Sequence, residues 1–233
     1  MGRVLVCGAY FADRANCIAA EVEEFAASRH HHVEQRWIAL DFSETATWNC
    51  PGTVAVVKQP TPKFTLMNGL LKDLETFDFV IISDDDVDLP RGFVDHFVEN
   101  VEKFQFALSQ PARTPDSHID HFITIRMPGI DARLTRFVEI GPIFCIHRSA
   151  FGVLLPFNLC SPMGWGYDFV WPAVIERSGL RMGIVDATPV GHTIRKSLTN
   201  YSKPIVEEQM NALLATNPHL PKAEAFTVLE AYA

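Results

Sequence analysis

A run of apolar residues that ends in three consecutive carboxylates constrains this chain more than any other feature. Phe77-Asp78-Phe79-Val80-Ile81-Ile82 has the composition of a buried strand and leads through Ser83 into Asp84-Asp85-Asp86. Adjacent acids left unpaired repel one another and raise one another's pKa values, at a cost in stability. A chain tolerates such a run where something cationic normally sits. Hard divalent ions such as Mg2+ and Mn2+ take oxygen ligands, often one or two carboxylates with phosphate oxygens filling further positions. An acid-x-acid step at a strand end therefore suits a clamp on a metal and a diphosphate. The competing reading is an Asp-rich turn capping a helix that opens at Pro90. That reading accounts for Asp88, and less well for three acids after an apolar strand.

Around this motif the chain alternates strand-like and helix-like stretches. Residues 4–8, 33–40, 53–58 and 77–82 read as strands, and 14–28, 64–74 and 90–102 as helices. The alternation predicts an α/β fold with a mainly parallel sheet flanked by helices, in which ligands bind beyond the carboxyl ends of the strands. Residues 109–136 are rich in Pro, Asp, His and Arg and read as a long functional loop or irregular subdomain. Beyond them the pattern predicts a strand over 137–146, a short helix over 149–155 and a loop over 156–166. A helix over 169–177, a strand over 182–185 and a helix around 206–214 complete it. The 233 residues fit a single domain.

The formal charge of −8 argues against a nucleic-acid partner, which needs a basic face. Five scattered cysteines without CxxC spacing suggest neither a disulfide framework nor a zinc site, and point to a reducing compartment. Met1 leads directly into a strand, and no apolar run approaches the roughly 18 residues of a membrane span. The expectation is a cytoplasmic protein, with peripheral membrane association through a partner left open.

A second motif is Met163-Gly164-Trp165-Gly166-Tyr167-Asp168. Its glycines permit unusual backbone angles and close approach of a ligand. Trp165 and Tyr167 offer flat faces for a sugar ring, and Asp168, at a helix start, can accept a proton from a hydroxyl. The plainer alternatives are core aromatics and an N-cap aspartate, with Pro172 in the first turn. His192, after the last strand, has an imidazole able to complete a carboxylate–phosphate metal site, although a lone His is more often structural. Arg195, Lys196, Tyr201 and Lys203 form a basic loop able to close over a diphosphate, or an ordinary solvated surface. The run His30-His31-His32 is given no role.

In this order the motifs resemble the GT-A glycosyltransferase superfamily: a nucleotide-binding half, a strand ending in D-x-D, an acceptor-side W-G-x-D and a late His. The resemblance implies a single GT-A-like domain, with a nucleotide-binding half over 1–108, an acceptor and catalytic half over 109–200 and a helical tail over 201–233. It implies Mn2+ or Mg2+ as cofactor, held by Asp84, Asp86 and His192, with Asp84 also near the ribose. It further implies a UDP- or GDP-sugar donor and a glycan or glycolipid hydroxyl acceptor. Asp168 would be the base of an inverting transfer. Ala9, Asp41, Asp84, Asp85, Arg195 and Lys196 become the candidate donor contacts. Trp165, Tyr167 and Glu139 become the acceptor side, with Asp186 in reserve. The second half is also similar to a plant and bacterial family of unknown function mislabelled as lysine-ketoglutarate reductase trans-splicing related. Residues 137–144, 164–169 and 183–187 and His192 carry that similarity, with Tyr167 where the family often has Leu.

Three other classes compete. A nucleotidyltransferase of related fold would carry a Gly- and basic-rich loop after the first strand, which Gly8-Ala9-Tyr10-Phe11-Ala12-Asp13-Arg14 matches poorly. A haloacid-dehalogenase phosphatase would place its acid pair near the N-terminus. A non-catalytic nucleotide- or sugar-binding module would share the clamp without turnover.

Overall fold

Alternation along the strands explains why helices cover both faces of the sheet. The computed structural model describes residues 1–43, 50–196 and 202–233. In β1 (Arg3–Phe11), Leu5 and Cys7 enter one apolar cluster and Val4 and Val6 another. In β4 (Phe79–Ser83), Val80 and Ile82 are divided in the same way from Phe79 and Ile81. All eight are buried, as expected of strands covered on both sides. On one side α1 (Ile18–Ala26) and α3 (Phe93–Lys103) contribute Phe25, Phe93 and Phe97. On the other, α2 (Lys63–Leu70) contributes Phe64 and Met67.

The strands β2 (His32–Leu40) and β3 (Thr53–Val57) extend the sheet outward from β1, and β4 lies on its other flank, all three pairings being parallel. The second half departs from that regularity. It contains β5 (Leu108–Arg113), β6 (Ala132–Thr135) and β7 (Ile143–His147), then α4 (Phe151–Leu154) and α5 (Tyr167–Arg177). After them come β8 (Met182–Val190), α6 (Lys203–Thr216), α7 (Lys222–Ala225) and β9 (Val228–Tyr232). Among the described residues the sheet has nine strands in the order β3-β2-β1-β4-β7-β5-β8-β6-β9. β7 runs antiparallel to β4 and β5, β5 is parallel to β8, and β6 is antiparallel to β8 and β9. The sheet is thus mixed, with its regular parallel part in the first four strands.

Five expectations need correcting. The stretch 109–136 is not a loop throughout: β5 enters it and β6 lies within it, and every residue of β5 is buried. The strand expected over 137–146 narrows to β7, because 137–142 runs past the sheet end and toward the acid run. The helix expected from Pro90 starts at Phe93, and the helix expected from Phe169 starts at Tyr167. The tail is helical only in part, since its last segment adds β9 to the edge of the sheet.

Asp186, held in reserve for acceptor contacts, belongs to this framework instead. It is fully buried on β8, and Arg133 of β6, itself 2% exposed, donates to both of its oxygens at 2.8 and 3.0 Å. Arg133 also donates to the carbonyls of Ile123 and Ile125 at 2.7 and 3.0 Å, tying 122–125 to the sheet. Arg133→Met removes one partner of a buried ion pair. It is expected to lower unfolding stability by about 3–5 kcal/mol in urea denaturation; a loss below about 1 kcal/mol would contradict the pairing.

Candidate active site

The acid run follows β4 at the carboxyl end of the parallel strands, and its members face different partners. Asp84 points at Lys63 of α2, with Oδ1 2.6 Å from Nζ, and its amide donates to the Pro142 carbonyl at 2.7 Å. Asp85 is 2% exposed; the Phe11 amide at the end of β1 donates to its Oδ2 at 2.8 Å, and Arg195 pairs with its Oδ1. Burial pushes Asp85 up to about 6, against the opposing charge of Arg195. Asp86 meets His192 Nε2 at 3.3 Å and Arg195 at 3.2 Å. Burial acts to raise the pKa of Asp86, but the His192 hydrogen bond and nearby cations outweigh it and hold the carboxyl below its ordinary value.

Helix capping does not account for these acids. The first amides of α3, on Gly92 and Phe93, donate to Glu24 of α1 at 2.6 and 3.0 Å. Glu21, one helical turn earlier, is buried under the run and accepts from Ser83 Oγ at 2.9 Å and the Val87 amide at 3.1 Å. Desolvation raises its pKa well above the usual carboxylate value.

A short antiparallel bridge brings the late histidine here. Asp88 and Gly191 exchange both backbone hydrogen bonds at 2.9 Å, which sets His192 beside Asp86. Behind His192 stands Arg113, the buried last residue of β5. Its Nη1 lies 3.2 Å from His192 Nδ1, and its Nη2 donates to Glu139 Oε2 and the Gly141 carbonyl, each at 2.6 Å. A guanidinium only donates, so Nδ1 accepts and the imidazole proton resides on Nε2, facing Asp86. Taking a metal on Nε2 would require that proton to move to Nδ1 and the Arg113 contact to open.

Asp168 and Glu139 form the second part of the site. Asp168 lies in the first turn of α5; the N-cap position belongs to Gly166, so the capping reading of Asp168 is displaced. Its Oδ1 is buried and has no hydrogen-bond partner among the described residues. Desolvation raises Asp168 to about 7, against the backbone amides of the helix start. Desolvation likewise raises Glu139 to about 7, although Arg113 opposes it. The unanticipated member is His121, whose Nε2 is 3.9 Å from both Glu139 and Asp168.

The structure therefore brings together Asp85, Asp86, His192 and Arg195, and separately Glu139 and Asp168. Asp84 is engaged by Lys63 rather than by His192, and no cluster of three or more His, Cys, Asp or Glu able to hold a metal occurs among the described residues. Tyr167 corrects the acceptor assignment: it is 3% exposed, stacked on Trp171 at 5.6 Å and edge-on to Phe64 at 5.2 Å. The glycines before it serve the same packing. Gly164 and Gly166 both have φ +92°, and a Cβ on Gly164 would lie 2.0 Å from the Phe64 ring. Trp165 is half-buried, Lys196 exposed, and Ala9 half-buried on β1. Asp41 is buried at the end of β2, where its amide donates to the Val57 carbonyl at 3.0 Å. Tyr201 lies outside the described residues. Sequence reasoning missed Lys63, Arg113 and His121, and the one available signal was the density of Arg and His in 109–136.

Solved GT-A glycosyltransferases share this architecture. TarS of S. aureus (residues 1–349), solved with UDP-GlcNAc, aligns over 96% of this chain and 69% of its own with a TM-score of 0.62 and 12% identity. GalNAc-T7, solved with UDP, GalNAc and Mn2+, aligns over 91% and 48% with a TM-score of 0.60 and 10% identity. The mannosyltransferase PcManGT from Pyrobaculum calidifontis, solved with GDP-Man and Mn2+, aligns over 97% and 68% with a TM-score of 0.57 and 15% identity. The chain spans about half the length of GalNAc-T7 and about two thirds of the other two. The fold is of GT-A type. No protein-family model matches the sequence, and no curated protein matches it.

The elevated pKa of Asp168 has a definite sign for stability. Its ordinary value is 3.8 and its folded value about 7. A carboxyl raised in this way stabilises the fold at pH below its unfolded value, and that contribution is lost as pH rises through the folded one. Asp168→Asn cannot ionise, so its Tm relative to wild type should rise from about pH 4 to about pH 8. Thermal melts across that range check this, and a difference flat with pH would contradict it.

Proposed function

We propose that this chain is a metal-dependent glycosyltransferase that moves a sugar from a nucleotide-sugar donor to a hydroxyl acceptor with inversion. One observation carries the reading. Asp86 and His192, an oxygen and an imidazole donor suited to Mn2+, converge at 3.3 Å beyond the carboxyl ends of the parallel strands. A buried carboxyl able to take a proton, Asp168, stands across Glu139 and His121 from them.

The donor set fits a metal held by two protein groups with diphosphate oxygens completing its shell. Asp86 and His192 would be those groups once the Arg113 contact opens. When bound, the ion would supply charge neutralisation at the departing nucleoside diphosphate. Asp84, engaged by Lys63, lies on the ribose side of this arrangement. Arg195 neutralises Asp85 and Asp86 and is placed to turn toward the diphosphate, with Lys196 beside it and Ala9 and Asp41 at the ends of β1 and β2 on the nucleotide side. Glu139 and Trp165 face the acceptor. Asp168 takes the proton of the attacking hydroxyl, and its desolvated setting gives it a proton affinity matched to neutral pH.

The three solved relatives of this fold carry UDP, UDP-GlcNAc and GDP-Man, which supports a UDP- or GDP-sugar donor. A glycan or glycolipid acceptor suits this class. Among the described residues no helix is long and apolar enough to cross a membrane, so a lipid-linked acceptor would be met at a membrane surface.

Calorimetric titration with UDP, GDP, CMP and ADP, each with and without Mn2+, tests the clamp. One nucleotide should bind with Mn2+ and at least about tenfold more weakly without it, and Asp86→Ala should remove that difference. Asp168→Asn should keep the binding and lose about a hundredfold or more in turnover. Absence of nucleotide binding with Mn2+ present would sink the proposal.

A further inference from the structure

His121 sits at a junction that the roles above leave unused. The imidazole is held edge-on between Phe137, with ring centroids 5.0 Å apart, and Phe226, at 5.1 Å. Those two rings fix its plane, and Nε2 is the atom turned toward both carboxylates. On Glu139, Oε2 is taken by Arg113, so Oε1 is the oxygen facing His121 at 3.9 Å. On Asp168, Oδ2 faces His121 at the same distance while Oδ1 has no partner among the described residues. The His121 side chain is 22% exposed, against 9% for Asp168 and 8% for Glu139. Of the three groups it is the most exposed to water.

A buried base has a difficulty that follows from its burial. Each turnover leaves one proton on Asp168, and the surroundings that raise its proton affinity also resist giving the proton up. We propose that His121 is the outlet: it takes over the proton that Asp168 removes from the acceptor hydroxyl and passes it to solvent. This rests on the glycosyl-transfer reading and extends it to a residue that reading does not use.

The step balances as follows. The acceptor O–H bond breaks, its proton goes to Asp168, and the oxygen lone pair forms the new bond to the anomeric carbon of the donor. The bond from that carbon to the diphosphate oxygen breaks, and its electron pair leaves with the nucleoside diphosphate. Asp168 then gives its proton to Nε2 of a neutral His121, directly after a small rotation or through one water. The imidazolium loses its Nδ1 proton to solvent, and exchange of the remaining ring proton with water restores the starting tautomer, so both groups return to their starting forms. Burial lowers the pKa of His121, Asp120 acts to raise it, and Lys222 and Arg113 act to lower it, so the resting imidazole is neutral and would carry the proton only transiently before shedding it to water. Lys222 also bears on Asp168, and Glu139 is already answered by Arg113.

The test uses the full chain with Mn2+ and UDP-GlcNAc, UDP-GalNAc or GDP-mannose, water serving as acceptor and released UDP or GDP as the readout. His121→Phe keeps the aromatic packing and removes the ring nitrogens. It should bind UDP or GDP with Mn2+ as wild type does, with KM for the donor unchanged and kcat at least about tenfold lower. His121→Gly should be equally slow and should regain turnover when free imidazole is added, which a purely structural role would not produce. His121→Gln provides the same comparison should either variant fold poorly. A His121→Phe chain within about twofold of wild-type kcat, or a His121→Gly chain indifferent to imidazole, overturns the outlet while an inactive Asp168→Asn leaves the transfer reading standing. A wild-type chain that releases no nucleotide from any of these donors overturns the transfer reading and the outlet with it.

Discussion

Burying two neighbouring carboxylates at the end of an apolar strand is the constraint from which most of this site follows. Asp85 and Asp86 are 2% and 4% exposed, too little for water to hold their charge. The chain answers them from several directions: the Phe11 amide at the end of β1, Arg195 and His192 beyond β8, and Lys63 of α2 on the neighbouring Asp84. Glu21 lies beneath the same turn, and burial first, with the Asp85 and Asp86 charges adding to it, makes its carboxyl take up a proton more readily than an exposed one would. An acid run of this kind is consistent with a bound cation, but the protein also supplies cations of its own. Arg195 in particular makes the ion-free arrangement tenable, and a metal ion would have to compete with it.

The division of the sheet sets the division of labour. Its parallel part delivers the acids, and its mixed part delivers the groups that surround them. Arg113 joins the two. From the end of β5 it reaches His192, Glu139 and the carbonyl of Gly141 at once, so the histidine beside Asp86 and the buried glutamate share one guanidinium. A substitution there would disturb both parts together, and for that reason single-residue effects at Arg113 would be poor evidence for either role.

The strands β1 and β4 were legible because burial on both faces leaves a plain signature, a short apolar run ended by Gly or an acid. The strand β5 was not. Ser109, Gln110 and Arg113 are polar and Pro111 lacks a donor, yet all six positions are buried, with Gln110 and Arg113 hydrogen-bonded within the protein. The Gln110 side-chain oxygen, for example, accepts from the Glu139 amide at 2.5 Å. Periodicity reads hydrophobicity, and a strand buried by hydrogen bonding has little of it. Of the candidate residues, Asp86 and His192 were legible through residue type and order, and the structure sets them side by side. Tyr167 was misread because an aromatic beside glycines has the same composition whether it stacks on a ligand or on Trp171. His121 carried no motif at all, since its meaning lies in three elements that meet only after folding.

The ion pair between Arg195 and Asp85 spans 110 positions of sequence. Closing a loop that long costs conformational entropy that grows as about three halves of RT ln n and is met before the contact gives anything back. The site is complete only in a chain where β8 is docked and the Asp88–Gly191 bridge is closed. The ability to hold a ligand and the completion of the fold then coincide in time, so that a chain competent to bind is one that has already brought its two halves together.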